Sequence, residues 1–182
     1  MLSEFRKKKL LYVFKMFFDV DESGTIEKKD FDDSLNIVAK LQGWDVNDSR
    51  FKVGQEVMAQ IWNGLSAAAD KDNDGKINAE EWIAMWSSHD KASMPEWQQL
   101  YCRVIFHIQD YSQDGAVDSD EYVKVHTAFG TDKDQASEAF KKLSDGKPSI
   151  TWDDFQKRFE EFFMSDDENA PGNYLFASNK FD

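Results

Sequence analysis

The chain of 182 residues is 41% hydrophobic and 14% aromatic, which is enough for one sizeable core or two small ones and excludes disorder over most of its length. Its formal net charge of −13 at pH 7 argues against nucleic acid as a partner. A single cysteine, Cys102, excludes an internal disulfide, and the lack of a long apolar run or a signal-peptide pattern predicts a cytoplasmic protein without a transmembrane segment. We expect a monomer.

Residues 2–18 are rich in apolar side chains at helical spacing and predict one continuous helix that begins near Ser3. The same segment carries a basic run, Arg6-Lys7-Lys8-Lys9. We interpret this run as a solvated helix face beside an acidic body. The alternative is a docking patch for an anionic partner, a lipid surface or a phosphate.

Residues 19–30 have the pattern of a twelve-residue metal loop, with Gly24 at position 6 and Ile26 at position 8. The predicted ligands are Asp19, Asp21, Ser23, the backbone carbonyl of Thr25, and Asp30. This is the spacing of an EF-hand loop, in which about 6–8 oxygens surround a calcium ion. Asp30 is one methylene shorter than the glutamate usual at position 12. The site should therefore offer fewer oxygens, which suits magnesium or weaker calcium binding.

Two further loops, residues 70–81 and 110–121, repeat the pattern with glutamate at position 12. Their predicted ligands are Asp70, Asp72, Asp74, the carbonyl of Lys76 and Glu81 in the second loop, and Asp110, Ser112, Asp114, the carbonyl of Ala116 and Glu121 in the third. Asn78 and Asp118 also place an oxygen at position 9. Because glutamate at position 12 can chelate with both oxygens, both loops are predicted to bind calcium.

A fourth loop, residues 143–154, aligns through Ile150 at position 8 but departs from the ligand pattern. Leu143 stands at position 1, Lys147 at position 5 and Pro148 at position 6. Leucine and lysine cannot bind a cation, so this loop is predicted to be metal-free. It is retained as the structural partner of the third loop, with Val117 facing Ile150, as Ile26 faces Ile77 in the first pair.

The four loops predict an all-α fold of four EF-hand helix–loop–helix units in two paired lobes packed compactly, with short β ladders between paired loops. We place the N-terminal pair at residues 1–92 and the C-terminal pair at residues 93–164. The tail, residues 165–182, contains enough apolar side chains to fold back onto the body.

The three loops, the altered fourth loop and the tail segment 171–176, Pro-Gly-Asn-Tyr-Leu-Phe, resemble the invertebrate sarcoplasmic calcium-binding proteins and calexcitin. The stretches 81–86 and 143–147 strengthen the resemblance, which covers nearly the whole chain. Insect proteins described as juvenile hormone diol kinases belong to the same family. The resemblance implies two compact lobes packed face to face, and either calcium handling or phosphoryl transfer.

Three functional hypotheses follow from these observations. The first is a cytosolic calcium buffer or calcium signal carrier with three metal sites, acting through a protein target. The alternative is a kinase of a lipophilic diol that uses Mg-GTP or Mg-ATP, for which Asn179, Lys180 and Asp182 match a guanine-reading motif. No P-loop supports the kinase. A third hypothesis is a carrier of a lipophilic small molecule in an aromatic cavity between the lobes.

Overall fold

Helices dominate the computed structural model, which describes residues 1–89 and 93–181, and capping side chains set many of their first turns. The elements in chain order are α1 Glu4–Val13, a π-helical turn Phe14–Phe18, α2 Lys28–Gln42, α3 Ser49–Ala69, α4 Ala79–Ser88, α5 Glu96–Gln109, β1 Ala116–Asp118, α6 Ser119–Ala128, α7 Lys133–Leu143, β2 Ser149–Thr151, α8 Trp152–Met164 and a 3₁₀ turn Pro171–Tyr174. Helix α2 ends at Gly43, whose φ of 73° closes the last turn in the left-handed conformation that glycine adopts without strain. The predicted mainly helical fold with a short ladder is therefore confirmed.

The chain divides into two compact units. The first contains Met1–Leu2 and Leu10–Tyr101, and the second contains Ser3–Lys9 and Cys102–Asp182. Helices α1 and α5 thus contribute residues to both units. The predicted boundary between residues 92 and 93 directly follows residues 90–92, which lie outside the described residues.

In the first unit, loops one and two are joined through their eighth residues. Ile26 and Ile77 form an antiparallel bridge, with N···O distances of 2.8 and 2.9 Å between their backbone groups. Both side chains are fully buried. Trp82, in the first turn of α4, packs against Phe14 and Phe18, and its indole Nε1 donates to the carbonyl of Leu10 at 2.8 Å. The predicted pairing of the two loops is confirmed.

In the second unit, strands β1 and β2 form the corresponding antiparallel ladder. Val117 pairs with Ile150, with Ala116 opposite Thr151 and Asp118 opposite Ser149. Val117 and Ile150 are buried, and Phe155 lies fully buried on the helix that follows β2. The ladder forms here although the fourth loop lacks metal ligands, because its pairing needs only backbone groups and two apolar side chains.

The predicted single helix over residues 2–18 is wrong at its C-terminal end. The α-helix ends at Val13, and Phe14–Phe18 form a π-helical turn that ends with an N–H of Asp19 donating to the carbonyl of Phe14 at 2.8 Å. Such turns add one residue to the helical repeat and rotate the residues that follow. Phe14 and Phe18 are thereby both buried.

The basic run at residues 6–9 is not a uniformly solvated face. Arg6 and Lys9 are buried, whereas Lys7 and Lys8 are exposed. Arg6 Nε donates to the carbonyl of Phe163 at 2.7 Å, and Lys9 Nζ donates to the carbonyl of Ser165 at 2.8 Å. Helix α1 therefore supplies cationic donors to the last carbonyls of α8, which lack partners within that helix.

The tail packs within the second unit. Phe176 is buried against Phe162 and Phe163, with ring centroids 4.8 and 6.1 Å away. The hydroxyl of Tyr122 donates to the carbonyl of Tyr174 and accepts from the N–H of Ala177 at 2.9 Å. These contacts fix the chain after α8 over the helices that flank the third and fourth loops.

Candidate metal centres

Three carboxylates of the first loop lie close to one another. One oxygen each of Asp19, Asp21 and Asp30 lies within 4.8 Å of the others, and Asp19 and Asp30 are buried. Asp19 accepts from the N–H groups of Ser23 and Gly24 at 2.9 and 2.8 Å. These backbone donors hold the position-1 carboxylate toward the centre of the loop.

Asp30 is the most confined of these carboxylates. Burial raises its pKa to about 6, and the charges of Asp21 and Asp19 act in the same direction. The backbone N–H groups of Asp21 and Glu27 donate to its two oxygens at 3.1 and 2.7 Å and oppose the shift. A metal ion in this loop would place a positive charge beside the Asp30 carboxylate and so stabilise its ionised form.

Metal binding in the first loop should weaken in mild acid. Because the predicted site uses the Asp30 carboxylate, a proton with a pKa of about 6 competes with the ion, and the affinity at pH 5 should be about tenfold lower than at pH 7. A magnesium titration monitored at the amide of Gly24 measures this change. The Asp30→Asn variant, which has no carboxylate at this position, should show weak binding without that step, and an unchanged affinity of the native loop at pH 5 would contradict the assignment.

The second loop is more exposed but has the same internal bonds. Asp70, Asp72 and Asp74 each place an oxygen within 4.8 Å of the others. Asp70 accepts from the N–H groups of Asp74 and Gly75 at 3.2 and 3.0 Å. Glu81 accepts from the N–H groups of Lys71 and Asn78, both at 3.0 Å, so its carboxylate spans the two ends of the loop.

In the third loop the first and last ligands are buried. Asp110 and Glu121 lie within 4.8 Å of each other and of Asp114, and burial raises the pKa of Asp110. Glu121 accepts from the N–H groups of Ser112 and Asp118 at 3.1 and 3.0 Å. The hydroxyl of Ser112 donates to Asp110 at 3.4 Å. This loop therefore combines two buried carboxylates with an exposed one, and the buried pair attracts a dication more strongly than exposed groups do.

The three loops share one backbone path. The residue at position 4 has a φ of 58–60° in each, at Glu22, Asn73 and Gln113. The glycine at position 6 has a φ between 82° and 90° in each. In the second and third loops the residue at position 9 caps the following helix, since Asn78 and Asp118 accept from the N–H of the position-12 glutamate at 3.0 and 2.9 Å.

The fourth loop follows a different path. Helix α7 continues through Leu143, which is buried, and the left-handed residues are the consecutive pair Asp145 and Gly146. Lys147 Nζ lies 3.4 Å from both oxygens of Asp154, the carboxylate at position 12. Among residues 1–89 and 93–181, the carboxylate clusters lie in the first three loops and not in this one. The position-12 carboxylate of this loop is thus paired with a lysine of the same loop.

The residues proposed for a nucleotide form no comparable constellation. Asn179 donates to the hydroxyl of Tyr174 at 2.7 Å, and the backbone N–H of Lys180 donates to Ser178 at 3.0 Å. Asp182 lies outside the described residues. The nucleotide site stays a prediction.

Burial raises the pKa of the Cys102 thiol to about 12, so it stays protonated and is no nucleophile at neutral pH.

One acidic residue of the first loop was missed by the ligand prediction. Glu27 occupies position 9, where the other two loops have Asn78 and Asp118, and its carboxylate faces Lys76 of the second loop. The available sequence signal was that position 9 carries an oxygen-bearing side chain in all three loops.

Comparison with known proteins agrees with this geometry. The EF-hand family model matches residues 67–86, which include the second loop. Calexcitin-1 of Caenorhabditis elegans is 29% identical over 178 residues, which cover 95% of this chain and 86% of that protein. The chain thus resembles calexcitin and the sarcoplasmic calcium-binding proteins, which are EF-hand proteins, over nearly its whole length.

Further similar proteins agree with this comparison. Sarcoplasmic calcium-binding proteins II, V, VI and VII of Branchiostoma lanceolatum are 26% identical over 167 residues, which cover 89% of each chain. The solved structure of an amphioxus sarcoplasmic calcium-binding protein matches with a TM-score of 0.81 and 25% identity over 98% of this chain and 99% of that one. The chain is thus a calcium-binding protein, and no helix in its described part is long and apolar enough to cross a membrane.

Proposed function

We propose that the protein is a cytoplasmic calcium buffer or calcium signal carrier with three metal sites, in loops 19–30, 70–81 and 110–121. The observation that carries the proposal is the convergence of three carboxylates in each of these loops. Without a cation, such groups repel one another at short range. An ion with a flexible shell of about 6–8 oxygens would relieve that repulsion and use the oxygens already directed inward.

Each site is built from one loop and the first turn of the helix that follows it. The position-1 aspartate holds the turn through backbone N–H groups, and the position-12 acid belongs to the exiting helix. An ion bound to both would fix the direction of that helix relative to the loop. In the second loop, Glu81 is the residue that would transmit ion binding to α4. Its carboxylate accepts the backbone N–H groups of Lys71, at the start of the loop, and of Asn78, at the helix cap.

The core favours a buffer or a modest switch over a sensor that opens widely. Sensors of this type expose a groove rich in methionine when calcium binds. This chain has 6 methionines and 26 aromatic residues, counted as 15 Phe, 6 Trp and 5 Tyr. Trp82, Trp86 and Phe162 are among the side chains with less than 2% exposure. Large rings packed edge to face exchange partners less readily than flexible thioethers.

The test of the proposal is a calorimetric calcium titration of the full chain and of variants in which the position-1 aspartate of each loop is replaced by alanine. Each of the variants Asp19→Ala, Asp70→Ala and Asp110→Ala is expected to bind one ion fewer than the native chain. The matched control is Asp145→Ala in the fourth loop, which should leave the stoichiometry unchanged. Unchanged stoichiometry in any of the first three variants would remove that loop from the proposal.

The identity of the acid at position 12 should set the ion preference of the first site. Asp30→Glu adds the methylene needed for bidentate chelation, so calcium affinity at this site should rise relative to magnesium, by about tenfold. Competitive titration of the two ions, monitored at the amide of Gly24, measures the ratio. The same ratio in both proteins would show that the length of this side chain does not control selectivity.

A further inference from the structure

One residue of the tail is held by side chains from two different helices. The backbone N–H of Ala177 donates to the hydroxyl of Tyr122 on α6 at 2.9 Å, and the side-chain amide of Gln135 on α7 donates to the carbonyl of Ala177 at 3.0 Å. Ala177 is fully buried, so its backbone groups depend on these two partners. The tail is therefore fixed both to the helix that leaves the third loop and to the helix that enters the fourth.

Ala177 also has an uncommon backbone conformation. Its φ is 63°, in the left-handed region, where the Cβ of an L-residue crowds a carbonyl oxygen. In the described part of the chain, the other residues besides glycine with a positive φ all lie in the four EF-hand loops: Glu22, Asn73, Gln113 and Asp145. Strain of this kind persists where surrounding contacts hold it, and it is found at functional positions. The two hydrogen bonds thus keep the tail in a conformation that a released tail would leave.

Tyr122 directly follows a predicted ligand of the third site. Glu121 stands at position 12 of the third loop, and both residues lie in the first turn of α6, which begins at Ser119. Tyr122 is fully buried, and its hydroxyl also donates to the carbonyl of Tyr174, so it contacts two backbone groups of the tail. A change in the direction of α6 would therefore move the hydroxyl that holds the tail.

In this structure, one direction of α6 suits both the third site and the tail. An oxygen of Glu121 lies within 4.8 Å of oxygens of Asp110 and Asp114, so the position-12 acid already faces the other predicted ligands. In the same conformation, the hydroxyl of Tyr122 makes both of its hydrogen bonds to the tail. If an ion favours this direction of α6, it favours the docked tail, and the docked tail then favours the ion by the same factor.

We infer that Tyr122 is a positioning residue that couples docking of the tail to calcium binding in the third loop. The inference rests on the proposed function, in which this loop binds calcium. Through Tyr122, the docked tail holds α6 with Glu121 toward the loop and so raises the calcium affinity of the third site. Bound calcium in turn stabilises the docked tail.

The first measurement is the calcium affinity of the third site, in the full chain and in three variants. It is followed by 15N NMR at the amide of Gly115, which donates to Asp110 at 3.0 Å. Tyr122→Phe keeps the ring and removes the hydroxyl that holds the tail. Gln135→Leu is the matched control, because it removes the other hydrogen bond to Ala177 from a helix without a predicted ligand. Tyr111→Phe, the second control, removes a hydroxyl within the third loop itself.

Tyr122→Phe should lower the calcium affinity of the third site by about fivefold, at the lower end of couplings between sites. Gln135→Leu leaves the contact between α6 and the tail in place, so it should change this affinity by less than about twofold. Tyr111→Phe should also stay within about twofold of the native chain, because it leaves the contacts between α6 and the tail intact.

The second measurement is docking of the tail, followed by hydrogen exchange at the amide of Gly172. This N–H donates to Glu161 Oε2 of α8 at 2.9 Å, a contact that none of the three substitutions removes. Since coupling is reciprocal, calcium should slow this exchange in the native chain and in Gln135→Leu by the same factor of about five. In Tyr122→Phe, calcium should change it by less than about 1.5-fold, because the coupling is lost.

Two results overturn the inference. A loss of calcium affinity in Gln135→Leu or Tyr111→Phe equal to that in Tyr122→Phe would mean that the third site responds to any disturbance nearby. Protection of the Gly172 amide by calcium that persists in Tyr122→Phe would mean that this hydroxyl does not couple the tail to the site. If the Gly115 amide of the native chain does not respond to calcium, the third site itself is refuted, and this outcome is distinct because it precedes any substitution.

Discussion

Replacing Glu121 with glutamine should lower the calcium affinity of the third loop by at least about tenfold. Glu121 is 3% exposed, and its carboxylate already receives the N–H groups of Ser112 and Asp118. Glutamine keeps the length of the side chain and one acceptor oxygen, so it can still accept one of these two N–H groups. The loss therefore reports the missing negative charge and the missing bidentate chelation, together with one lost hydrogen bond within the loop.

The neighbouring Asp120 provides the control for this substitution. It is exposed and lies outside the carboxylate cluster of the third loop. Asp120→Asn removes the same charge one residue away, so it should change calcium affinity by less than about twofold. Calorimetric titration of both variants separates the two cases. Equal losses would indicate that the third loop attracts calcium through its overall charge and not through Glu121.

Replacing Lys9 with alanine should destabilise the protein by about 3 kcal/mol, because buried acceptors would lose their partner. Lys9 is fully buried, and its Nζ donates to Ser165, Asn173 and Glu161 at 2.8, 2.9 and 3.3 Å. Its stem lies near the rings of Phe5 and Phe162, with Nζ 5.0 and 5.5 Å from their centroids. Alanine leaves a cavity there as well as unsatisfied oxygens.

Lys8→Ala is the matched variant, since Lys8 precedes Lys9 on the same helix and is exposed. It should change the free energy of unfolding by no more than about 0.5 kcal/mol. Thermal unfolding of the calcium-free proteins should show a midpoint roughly 6–12 °C lower for Lys9→Ala alone. Similar midpoints for both variants would show that the contacts of Lys9 with α8 and the tail add little to stability.

The loops and their pairing could be predicted from sequence because each depends on residues close together in the chain. Gly75 at position 6 and Ile77 at position 8 define the loop frame without any knowledge of tertiary structure. Once the frames are aligned, the bridge from Ile77 to Ile26 follows from pairing alone. The same reasoning placed Ile150 opposite Val117 although the fourth loop has lost its ligands.

Features that depend on distant contacts could not be predicted in this way. Arg6 and Lys9 belong to a run of four cationic residues, and the low hydropathy of this run predicts a solvated helix face. Their hydrogen-bond partners are carbonyls about 155 residues later in the chain. The π-helical turn at Phe14–Phe18 was missed because the apolar side chains there fit an α-helical repeat almost as well. The ion pair between Glu27 and Lys76 could not be predicted because the two residues belong to different loops.

Counting the bound ions by native mass spectrometry is the most direct test of the central claim, that three loops bind an ion and the fourth does not. With calcium in moderate excess over the protein, the spectrum should show a dominant species with three ions. A fourth specifically bound ion would contradict the reading of Leu143 and Lys147 as residues that exclude a metal. A limit of two would show that one of the three carboxylate clusters is not a calcium site.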